Sequence, residues 1–463
     1  MASSRPLTAN LEDDYVHSHE TDEDETLTGN SSQYVRGWKF AKYFFFFVIF
    51  LVLVVVVLQI VRLATVAFKS PFSNNLDTEL DKRHIKSRLN GFSRPAVRKE
   101  LSAMHRLGGL SNNASHELAA YLDFHDFARA YEKSYDGIKA KHAAFLNYKK
   151  NVSEVNSHNE RKNALYKKGV NRFSDMDLEE LHKTLLKPIK KPHKQYTEST
   201  SLPELQLTAE KTLYYKTVKG NGAEADLLQV NRRVTPDGID WRNVGIVTTP
   251  KDQGSCGSCW AFAAVGAVES LIIQETSKKQ LLSEQELLNC EHRCFGCDGG
   301  YSDVALHYIM TKGISAADSV PYEAKESSCK VPSGEKYFIR NFVTAVGLDV
   351  ADKLLVRAPT VVYIAATRDL MSYSGGIFNG DCEFEELNHA VLLVGEGYDA
   401  ELGKRYWVIK NSWGPSWGEN GFFRLERTNK GSDKCGVLAY GFMPYGFDTK
   451  PSKMTKTVAG KSS

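Results

Sequence analysis

The eight cysteines constrain the fold of this chain most, because all of them lie beyond residue 255 of its 463 residues. They are Cys256, Cys259, Cys290, Cys294, Cys297, Cys329, Cys382 and Cys435. The sulfur chemistry is therefore confined to the C-terminal half. Two Cys-x-x-Cys pairs, 256 with 259 and 294 with 297, are compatible with a zinc site, a redox dithiol, or a structural cysteine beside a reactive one.

The segment after Cys259 favours the last of these three interpretations. Its apolar residues recur at helical spacing, at Ala261, Val265, Val268 and Ile272. A long buried helix is therefore predicted to begin at Cys259, whereas a zinc knuckle turns away from its metal. A zinc site on the two pairs would also leave four cysteines unexplained, and no βαβ pattern surrounds the motif as a thioredoxin-like dithiol requires. We predict no metal and no cofactor.

A cysteine at a helix N-terminus is a candidate nucleophile, because the helix dipole favours its thiolate. Such a nucleophile needs a base. The segment ELNHAVLLVGEG places His389 before an apolar run that is predicted to be a buried strand, and RYWVIKNSWG places Asn411 at the end of another. An amide oxygen can accept a hydrogen bond from one imidazole nitrogen and direct the other toward sulfur. The pattern predicts nucleophilic catalysis by Cys259, His389 and Asn411.

An apolar run near the N-terminus predicts a membrane anchor. Residues 43–61 read YFFFFVIFLVLVVVVLQIV, with Gln59 as the one strongly polar residue. A helix of this length spans roughly 28 Å, close to the hydrocarbon thickness of a bilayer. The run is longer than the apolar core of a cleaved signal peptide and begins later in the chain. If the cysteines form disulfides, the C-terminal bulk must face an oxidising compartment, which leaves the acidic N-terminal tail in the cytosol.

Three motifs closely resemble the papain family of cysteine proteases: QGSCGSCWAF, NHAVLLVGEG and WVIKNSWGPSWGENGFFRL. The resemblance extends from about Pro236 to about Phe447. Upstream, GVNRFSDM at 169–176 matches the Gly-x-Asn-x-Phe-x-Asp motif of the family's propeptides. With its anchor and long pro-region, the chain most resembles the falcipain-like proteases of apicomplexan parasites, including those of piroplasms.

The helix before this propeptide motif resembles the family only in part. The matching positions share one helix face and are Tyr148, Asn151, Val155 and Asn159. Ala140 and Ala144 replace the usual Glu and Arg, so the salt bridges of those residues must be absent or rebuilt. Residues 169–175 alternate as in a short strand, and Ser174 or Asp175 is predicted to cap a helix through MDLEEL.

The papain resemblance implies a role for each residue of the site. Cys259 is the nucleophile, and His389 is first the base and then the acid. The two are expected to form a thiolate and an imidazolium, as the cysteine and histidine of papain itself do. Asn411 orients His389, and Trp413 covers that hydrogen bond. The side-chain amide of Gln253 and the backbone N–H of Cys259 hold the oxyanion.

The resemblance also implies disulfides and a substrate pocket. The implied pairs are Cys256–Cys297, Cys290–Cys329 and Cys382–Cys435, which leaves Cys294 as a buried or an exposed free thiol. Gly299 and Gly300 are expected to hydrogen-bond the substrate main chain. The remaining positions expected to line the pocket for the second residue before the cleaved bond (P2) are Tyr301, Ser302, Tyr363, Ala366, Leu387 and Tyr440. This wall is apolar, so Leu, Phe or Val is expected at P2, and an endopeptidase is expected.

The fold class expected from this resemblance is α+β: a papain-like domain of two lobes, one α-helical and one β-barrel-like, preceded by a helical inhibitory prodomain and one transmembrane helix. The predicted divisions are a disordered acidic tail (1–42), a signal anchor (43–61), a stalk (62–115), an inhibitory propeptide domain (116–185), a linker with the maturation site (186–234), the peptidase domain (235–448) and a disordered C-terminal tail (449–463).

These expectations describe a single-pass type II membrane protein made as a zymogen, with its catalytic domain lumenal or extracellular. After processing it would act in an acidic vacuole or a lysosome-like compartment, with haemoglobin as one candidate substrate. Expected partners are protein and peptide substrates, the chain's own propeptide as inhibitor, cystatin-like inhibitors and the membrane. The net charge of +3 gives no indication of nucleic acid binding. The alternative is a catalytically inactive, membrane-tethered binding protein.

Overall fold

The computed structural model describes residues 44–60, 71–89, 92–189, 238–382 and 386–450. The predicted acidic tail, most of the predicted linker and nearly all of the predicted C-terminal tail lie outside these residues. Residues 44–60 form helix α1 within the first of the chain's two units, Met1–Asn74. Across the described ranges, no helix combines the length and hydropathy needed to cross a bilayer. Both end residues of the predicted anchor, Tyr43 and Val61, are outside the described residues.

The segment predicted to be a stalk is helical over most of its described residues. It contains α2 (Pro71–Asp81), α3 (Arg83–Arg88) and α4 (Arg94–Leu107). In α4, Val97, Leu101 and Met104 are buried at spacings of four and three, so they form one apolar helix face. The polar and basic residues that suggested a stalk occupy the other faces of these helices.

The inhibitory propeptide domain is built on two long helices, α5 (Ala114–Ala130) and α6 (Gly137–Asn159). Asn113 caps α5 by accepting a hydrogen bond from the backbone N–H of His116 at 3.2 Å. The helices pack through aromatic rings: Phe124 and Phe145 lie 5.3 Å apart, and Phe127 and Tyr148 lie 4.9 Å apart. These contacts make the prodomain a folded element with its own apolar interior.

Ion pairs at other positions replace those that Ala140 and Ala144 cannot form. The Lys149 ammonium contacts the Glu117 carboxylate at 2.6 Å, and Lys141 contacts Glu100 at 2.5 Å. The second pair joins α6 to α4, so the helices before the predicted propeptide domain are tied to it. The salt bridges of the prodomain are therefore rebuilt with different partners.

The segment after α6 differs from the sequence-based prediction. The strand β1 is Tyr166–Lys168, whereas residues 172–175 form turns, and α7 is Leu178–Thr184. Asp177 caps α7 by accepting the N–H of Glu180 at 2.8 Å. The predicted strand at 169–175 is thus wrong. The N–H of Ser174 donates to the Asn171 carbonyl, and the N–H of Asn171 donates to the Ser174 hydroxyl oxygen, and this pair of hydrogen bonds favours a turn.

A single buried helix, α8 (Cys259–Thr276), runs through the peptidase region and confirms the predicted helix start at Cys259. Two shorter helices, α9 (Glu284–Cys290) and α10 (Ser302–Lys312), pack beside it. The remaining strands are β2 (Phe338–Ala345), β3 (Thr360–Ile364), β4 (Tyr373–Phe378), β5 (His389–Asp399), β6 (Lys404–Lys410), β7 (Phe422–Glu426) and β8 (Gly441–Asp448).

The eight strands of the described residues form one sheet in the order β1-β4-β7-β6-β5-β3-β8-β2. Two hydrophobic clusters flank it, one around α8 and one around Trp407, Phe378 and Phe423. The α+β class is therefore confirmed. The outermost strand at one edge, β1, belongs to the pro-region and pairs antiparallel with β4.

Substitution of Lys149 tests the rebuilt ion pair. Glu117 is 1% exposed, so Lys149→Ala would leave a buried carboxylate without its cation. We expect a loss of about 2 kcal/mol in the free energy of unfolding, between the values typical of surface pairs and of buried ones. Urea unfolding of the full chain measures this loss. Lys150→Ala is the control, because Lys150 is 76% exposed; equal destabilisation by both variants would contradict the role assigned to the pair.

Candidate active site

The pairing of β5 with β6 brings His389 and Asn411 together. His389 is the first residue of β5, Asn411 follows the last residue of β6, and Leu392 lies opposite Lys410 in the antiparallel register. His389 Nε2 and Asn411 Oδ1 are 2.8 Å apart. His389 Nδ1 is buried, and no group among the described residues hydrogen-bonds to it. This nitrogen is therefore available to exchange a proton with a neighbouring group.

Cys259 approaches the same place from α8, of which it is the first residue. Its thiol lies at the N-terminus of α8 and within hydrogen-bonding reach of the backbone N–H of Ala390, the residue after His389. A sulfur nucleophile, an imidazole and an orienting amide thus converge at one site. This is the arrangement of a nucleophile, its base and the group that orients the base.

Gln253 is held in one orientation beside this site. Its side-chain Nε2 donates to the Cys256 carbonyl at 2.8 Å, and its Oε1 accepts from the Ser412 hydroxyl at 2.6 Å. An amide nitrogen has two hydrogens, so the second remains for another acceptor. Ser412 was not among the predicted site residues, although it directly follows Asn411 in the NSWG segment. The Cys256 carbonyl can only accept, so it determines which end of the Gln253 amide is the donor, and the Ser412 hydroxyl then donates to the other end.

Trp413 lies over the imidazole of His389. The two rings are stacked with centroids 4.7 Å apart and planes at 21°. Trp413 is almost fully buried, and Phe173 of the pro-region contacts it edge-on at 5.6 Å. The indole therefore shields the histidine from water, and the pro-region adds a second layer.

Burial shifts the pKa values of Cys259 and His389 in the direction that disfavours their charged forms. Burial raises the pKa of the Cys259 thiol to about 11, although backbone hydrogen bonds to the sulfur act in the opposite direction. It lowers the pKa of His389 to about 4, against the hydrogen bond to Asn411 that raises it. Both shifts act against the thiolate and imidazolium that the papain resemblance implies, a state that stays a prediction for the processed enzyme.

The cysteines form the disulfides that the family resemblance implies. The bonds join Cys256 to Cys297, Cys290 to Cys329 and Cys382 to Cys435. Cys294 is free and buried, and burial raises the pKa of its thiol to about 12. Its sulfur accepts the backbone N–H of Tyr301 at 3.4 Å. Cys294 is thus a buried free thiol, one of the two states that the sequence left open.

The residues expected to line the P2 pocket differ in burial and in the hydrophobic cluster to which they belong. Tyr301, Leu387 and Tyr440 are half-buried and pack against the cluster around α8. Tyr363 is fully buried, and its hydroxyl accepts the N–H of Ser302 at 2.9 Å. Because Ser302 is the first residue of α10, Tyr363 stabilises the start of that helix.

Three other expected residues are placed differently. Ala366 is buried in the other cluster and bonds to the side chain of Asn388. Gly299 and Gly300 follow the Cys256–Cys297 disulfide, and a Cβ at Gly300 would lie 2.6 Å from the Trp260 ring. Only glycine fits at position 300, because the backbone there rests directly on that indole.

The pro-segment, residues 166–189, covers the cleft. Asn171 Nδ2 donates to the Met371 carbonyl at 2.7 Å, and the N–H of Ile189 donates to the Leu387 carbonyl at 2.7 Å. Between these points the side chain of Lys187 lies over Gly257 and Gly299, where added Cβ atoms would come within 2.8 and 2.9 Å of it. The pro-segment thus occupies the space next to Cys259.

Alkylation of Cys259 measures how much this cover protects the thiol. Because burial raises the pKa of Cys259 to about 11, iodoacetamide should modify it slowly in the intact chain at neutral pH and faster as the pH approaches 11. In chains cut between 190 and 234 and freed of the pro-segment, labelling at neutral pH should be at least tenfold faster. Mass spectrometry of both species in one sample gives the rates, with buried Cys294 as internal control; equal rates would contradict the cover.

Comparisons with known proteins identify the peptidase domain and the propeptide domain. Residues 235–445 match the papain family cysteine protease domain, and residues 124–181 match the cathepsin propeptide inhibitor domain (I29). A cysteine proteinase of Theileria annulata is 42% identical over 75% of this chain and 78% of its own length. Falcipain-2a of Plasmodium falciparum is 33% identical over 72% of this chain and 68% of its own length.

Solved structures agree with this assignment. Digestive procathepsin L2 from the larval midgut of Tenebrio molitor covers 70% of this chain and 99% of its own, with 30% identity and a TM-score of 0.57. A recombinant stem bromelain precursor matches with the same identity and TM-score over 71% of this chain and 99% of its own. The α+β fold, the matched propeptide and the sequence identity lead to one conclusion: this chain belongs to the papain family of cysteine proteases and is related to the falcipains.

Proposed function

We propose that this papain-family zymogen becomes an endopeptidase that cleaves peptide bonds through Cys259, His389 and Asn411. The observation that carries the proposal is the 2.8 Å bond between His389 Nε2 and Asn411 Oδ1, which leaves Nδ1 without a partner among the described residues. A substrate carbonyl beside Cys259 would be attacked by sulfur, forming a C–S bond. The C–N bond then breaks, and His389 gives its proton to the leaving amine.

Removal of the pro-segment should activate the pair. Water then reaches the cleft, the desolvation that raises the pKa of Cys259 is relieved, and the pKa of His389 rises in turn. Transfer of the thiol proton to Nδ1 gives the thiolate and imidazolium. In the second half of the reaction His389 takes a proton from water, whose oxygen attacks the acyl carbon and releases the cysteine.

The oxyanion of each tetrahedral intermediate would accept hydrogen bonds from the Gln253 side chain and from the Cys259 N–H. The bond from Ser412 to Gln253 Oε1 favours this role, because it directs the amide hydrogens away from Ser412. A donor that is already oriented needs no reorganisation during the reaction. Loss of one such donor typically costs about 3 kcal/mol of transition-state stabilisation.

An apolar residue is the proposed preference at P2. The pro-segment supports this choice, since Ile189 packs against the same buried cluster around α8 as Tyr301, Leu387 and Tyr440, and its N–H donates to the Leu387 carbonyl. An aliphatic side chain therefore already occupies this part of the cleft in the zymogen. Substrate leucine, valine or phenylalanine would bury a similar apolar surface there.

We also propose that residues 43–61 anchor the protein in a membrane. The processed enzyme would act in an acidic vacuole or a lysosome-like compartment. The apolar length of that segment supports the anchor. The three disulfides support an oxidising environment for the peptidase domain, and therefore a cytosolic N-terminus. Protein substrates and cystatin-like inhibitors would compete for the cleft once the pro-segment has left.

Active-site labelling tests the peptidase. The epoxide E-64 should label the processed wild-type protein and the Cys294→Ala variant at the same residue, Cys259. The Cys259→Ala variant should take up no label and should lose peptide hydrolysis by at least a thousandfold, because the nucleophile is gone. Intact-mass measurement and a fluorogenic peptide with leucine at P2 give the two readouts. Labelling of Cys259→Ala, or full hydrolysis by it, would exclude this mechanism.

Acid release of the pro-segment is expected to depend on His158. Its Nε2 lies 3.0 Å from the Tyr166 carbonyl of β1. Burial lowers the pKa of His158; Lys168 and Arg161 also lower it, while the bond to Tyr166 and Asp369 raise it. A histidine with a lowered pKa stabilises the closed form fully above its ordinary pKa of about 6.5, and this contribution is lost as the pH falls below that value.

The His158→Gln variant keeps a hydrogen-bond donor but cannot titrate. We expect its conversion to the mature form to depend several-fold less on pH between about pH 7 and pH 5 than that of the wild type. Gel analysis of the full chain over time measures this conversion. His116→Gln is the control, since His116 is exposed. An unchanged pH profile in His158→Gln would rule out this histidine as the sensor.

A further inference from the structure

The hydroxyl of Tyr322 joins the two ends of the loop 253–258, which precedes α8. It donates to the carbonyl oxygen of Gln253 at 2.7 Å, and its oxygen lies 2.6 Å from the hydroxyl oxygen of Ser258. A phenol has one hydrogen and a carbonyl can only accept, so Ser258 is the donor in the second bond. A single oxygen atom therefore connects the first residue of this loop to the last.

The ends of the loop 253–258 carry the two groups that we propose bind the oxyanion. One is the side-chain amide of Gln253, and the other is the backbone N–H of Cys259, which directly follows Ser258. Two donors stabilise one oxyanion only when both lie within hydrogen-bonding distance of the same point. The distance between the ends of this loop therefore matters for the reaction.

The ring of Tyr322 packs on the helix that carries the nucleophile. The centroids of the Tyr322 and Phe262 rings are 4.8 Å apart, and the planes meet at 85°, an edge-to-face arrangement that aromatic rings favour. Phe262 and Cys259 both lie in the first turn of α8. Tyr322 is thus held against α8 by its ring while its hydroxyl reaches the loop before that helix.

Helix α9 fixes the backbone on both sides of Tyr322. The side-chain Oε1 of Gln285 accepts the N–H of Glu323 at 2.8 Å. The hydroxyl of Ser283, which caps α9, donates to the Val320 carbonyl at 2.7 Å. Gln285 and Ser283 are both buried. All of these groups belong to the peptidase domain, so release of the pro-segment removes none of them.

We infer that Tyr322 is a positioning residue of the peptidase, whose hydroxyl sets the distance between the Gln253 amide and the Cys259 N–H. This inference rests on the peptidase activity proposed above and adds to it a residue outside the motifs that carry the triad. Without the hydroxyl, the Gln253 carbonyl loses a donor and Ser258 loses an acceptor. The two ends of the loop are then free to move apart, and misplaced donors weaken the transition state more than the bound substrate.

Tyr322→Phe tests the inference, because it removes the hydroxyl and keeps the ring on Phe262. In enzyme processed from the full chain, kcat for a peptide with leucine at P2 should fall about tenfold while KM stays nearly unchanged. Alkylation of Cys259 by iodoacetamide should keep the wild-type rate, because sulfur displaces iodide without forming an oxyanion. The control is Tyr308→Phe, which removes another buried tyrosine hydroxyl, bonded to Glu286 at 3.1 Å, and should change neither rate.

Two further variants locate the effect. In a Gln253→Ala background one donor is already absent, so adding Tyr322→Phe should lower kcat only about twofold or less. Ser258→Ala breaks one of the two hydrogen bonds of the Tyr322 hydroxyl and should lower kcat about threefold, again with unchanged alkylation of Cys259. This variant carries the test if Tyr322→Phe does not fold.

The outcomes separate the positioning role from the activity itself. An unchanged kcat in Tyr322→Phe would overturn the inference. Equal losses of hydrolysis and of Cys259 alkylation would also overturn it, because the hydroxyl would then support the nucleophile or the fold rather than the donor spacing. A tenfold loss that persists in the Gln253→Ala background would show that Tyr322 acts elsewhere. Absence of hydrolysis by the wild type would refute the proposed function, and the role of Tyr322 with it.

Discussion

The register between β5 and β6 is the constraint on which the catalytic centre depends. Leu392 lies opposite Lys410, so continuing this antiparallel pairing places His389 near Asn411 and Trp413. Because side chains alternate along a strand, these residues share one face of the sheet. A slip of one residue would turn the imidazole and the amide to opposite faces. The bond to Asn411 and the stacking on Trp413 are therefore two results of a single strand pairing.

The same sheet carries the inhibition. The cover of the active site is not a loose segment but a continuation of the fold, with β1 paired to β4 and Tyr166 and Lys168 bonded to Asp369. The aromatic contact of Phe173 with Trp413 adds to it. Cys259 and His389 are buried beneath this cover, and desolvation is the largest cause of the shifts in their pKa values away from the charged forms. The pro-segment thus covers a site in which burial already disfavours the reactive thiolate.

Local sequence patterns were sufficient to predict the elements that carry Cys259 and His389, but they were insufficient to predict the elements that surround the site. The helix at Cys259 could be predicted, since its apolar spacing and its motif agree, and the strand beginning at His389 is a continuous apolar run. The helices between 71 and 107 were missed because their apolar residues are few among many charged ones. The strand at 166–168 was displaced because a three-residue strand leaves little periodicity to detect.

Contacts between distant parts of the chain were beyond any local pattern. Lys187 and Asp298 are 111 residues apart in the sequence, and nothing near either residue indicates the other. The buried position of Tyr363 beneath α10 likewise depends on packing between elements rather than on its neighbours in the chain. The cleft is assembled from loops of both clusters, so its composition follows from the fold and not from any one motif.

The edge position of β1 has a consequence for the mature enzyme. Release of the pro-segment would remove β1, so β4 would become a terminal strand with open main-chain donors and acceptors. Such borders invite strand addition by other polypeptides and, at high concentration, self-association. Here the border is short, contains Gly375 and Gly376, and its pairing with β1 is irregular at Lys168. These features make it a poor template, which protects the activated enzyme from assembling through the surface that its own inhibitor once covered.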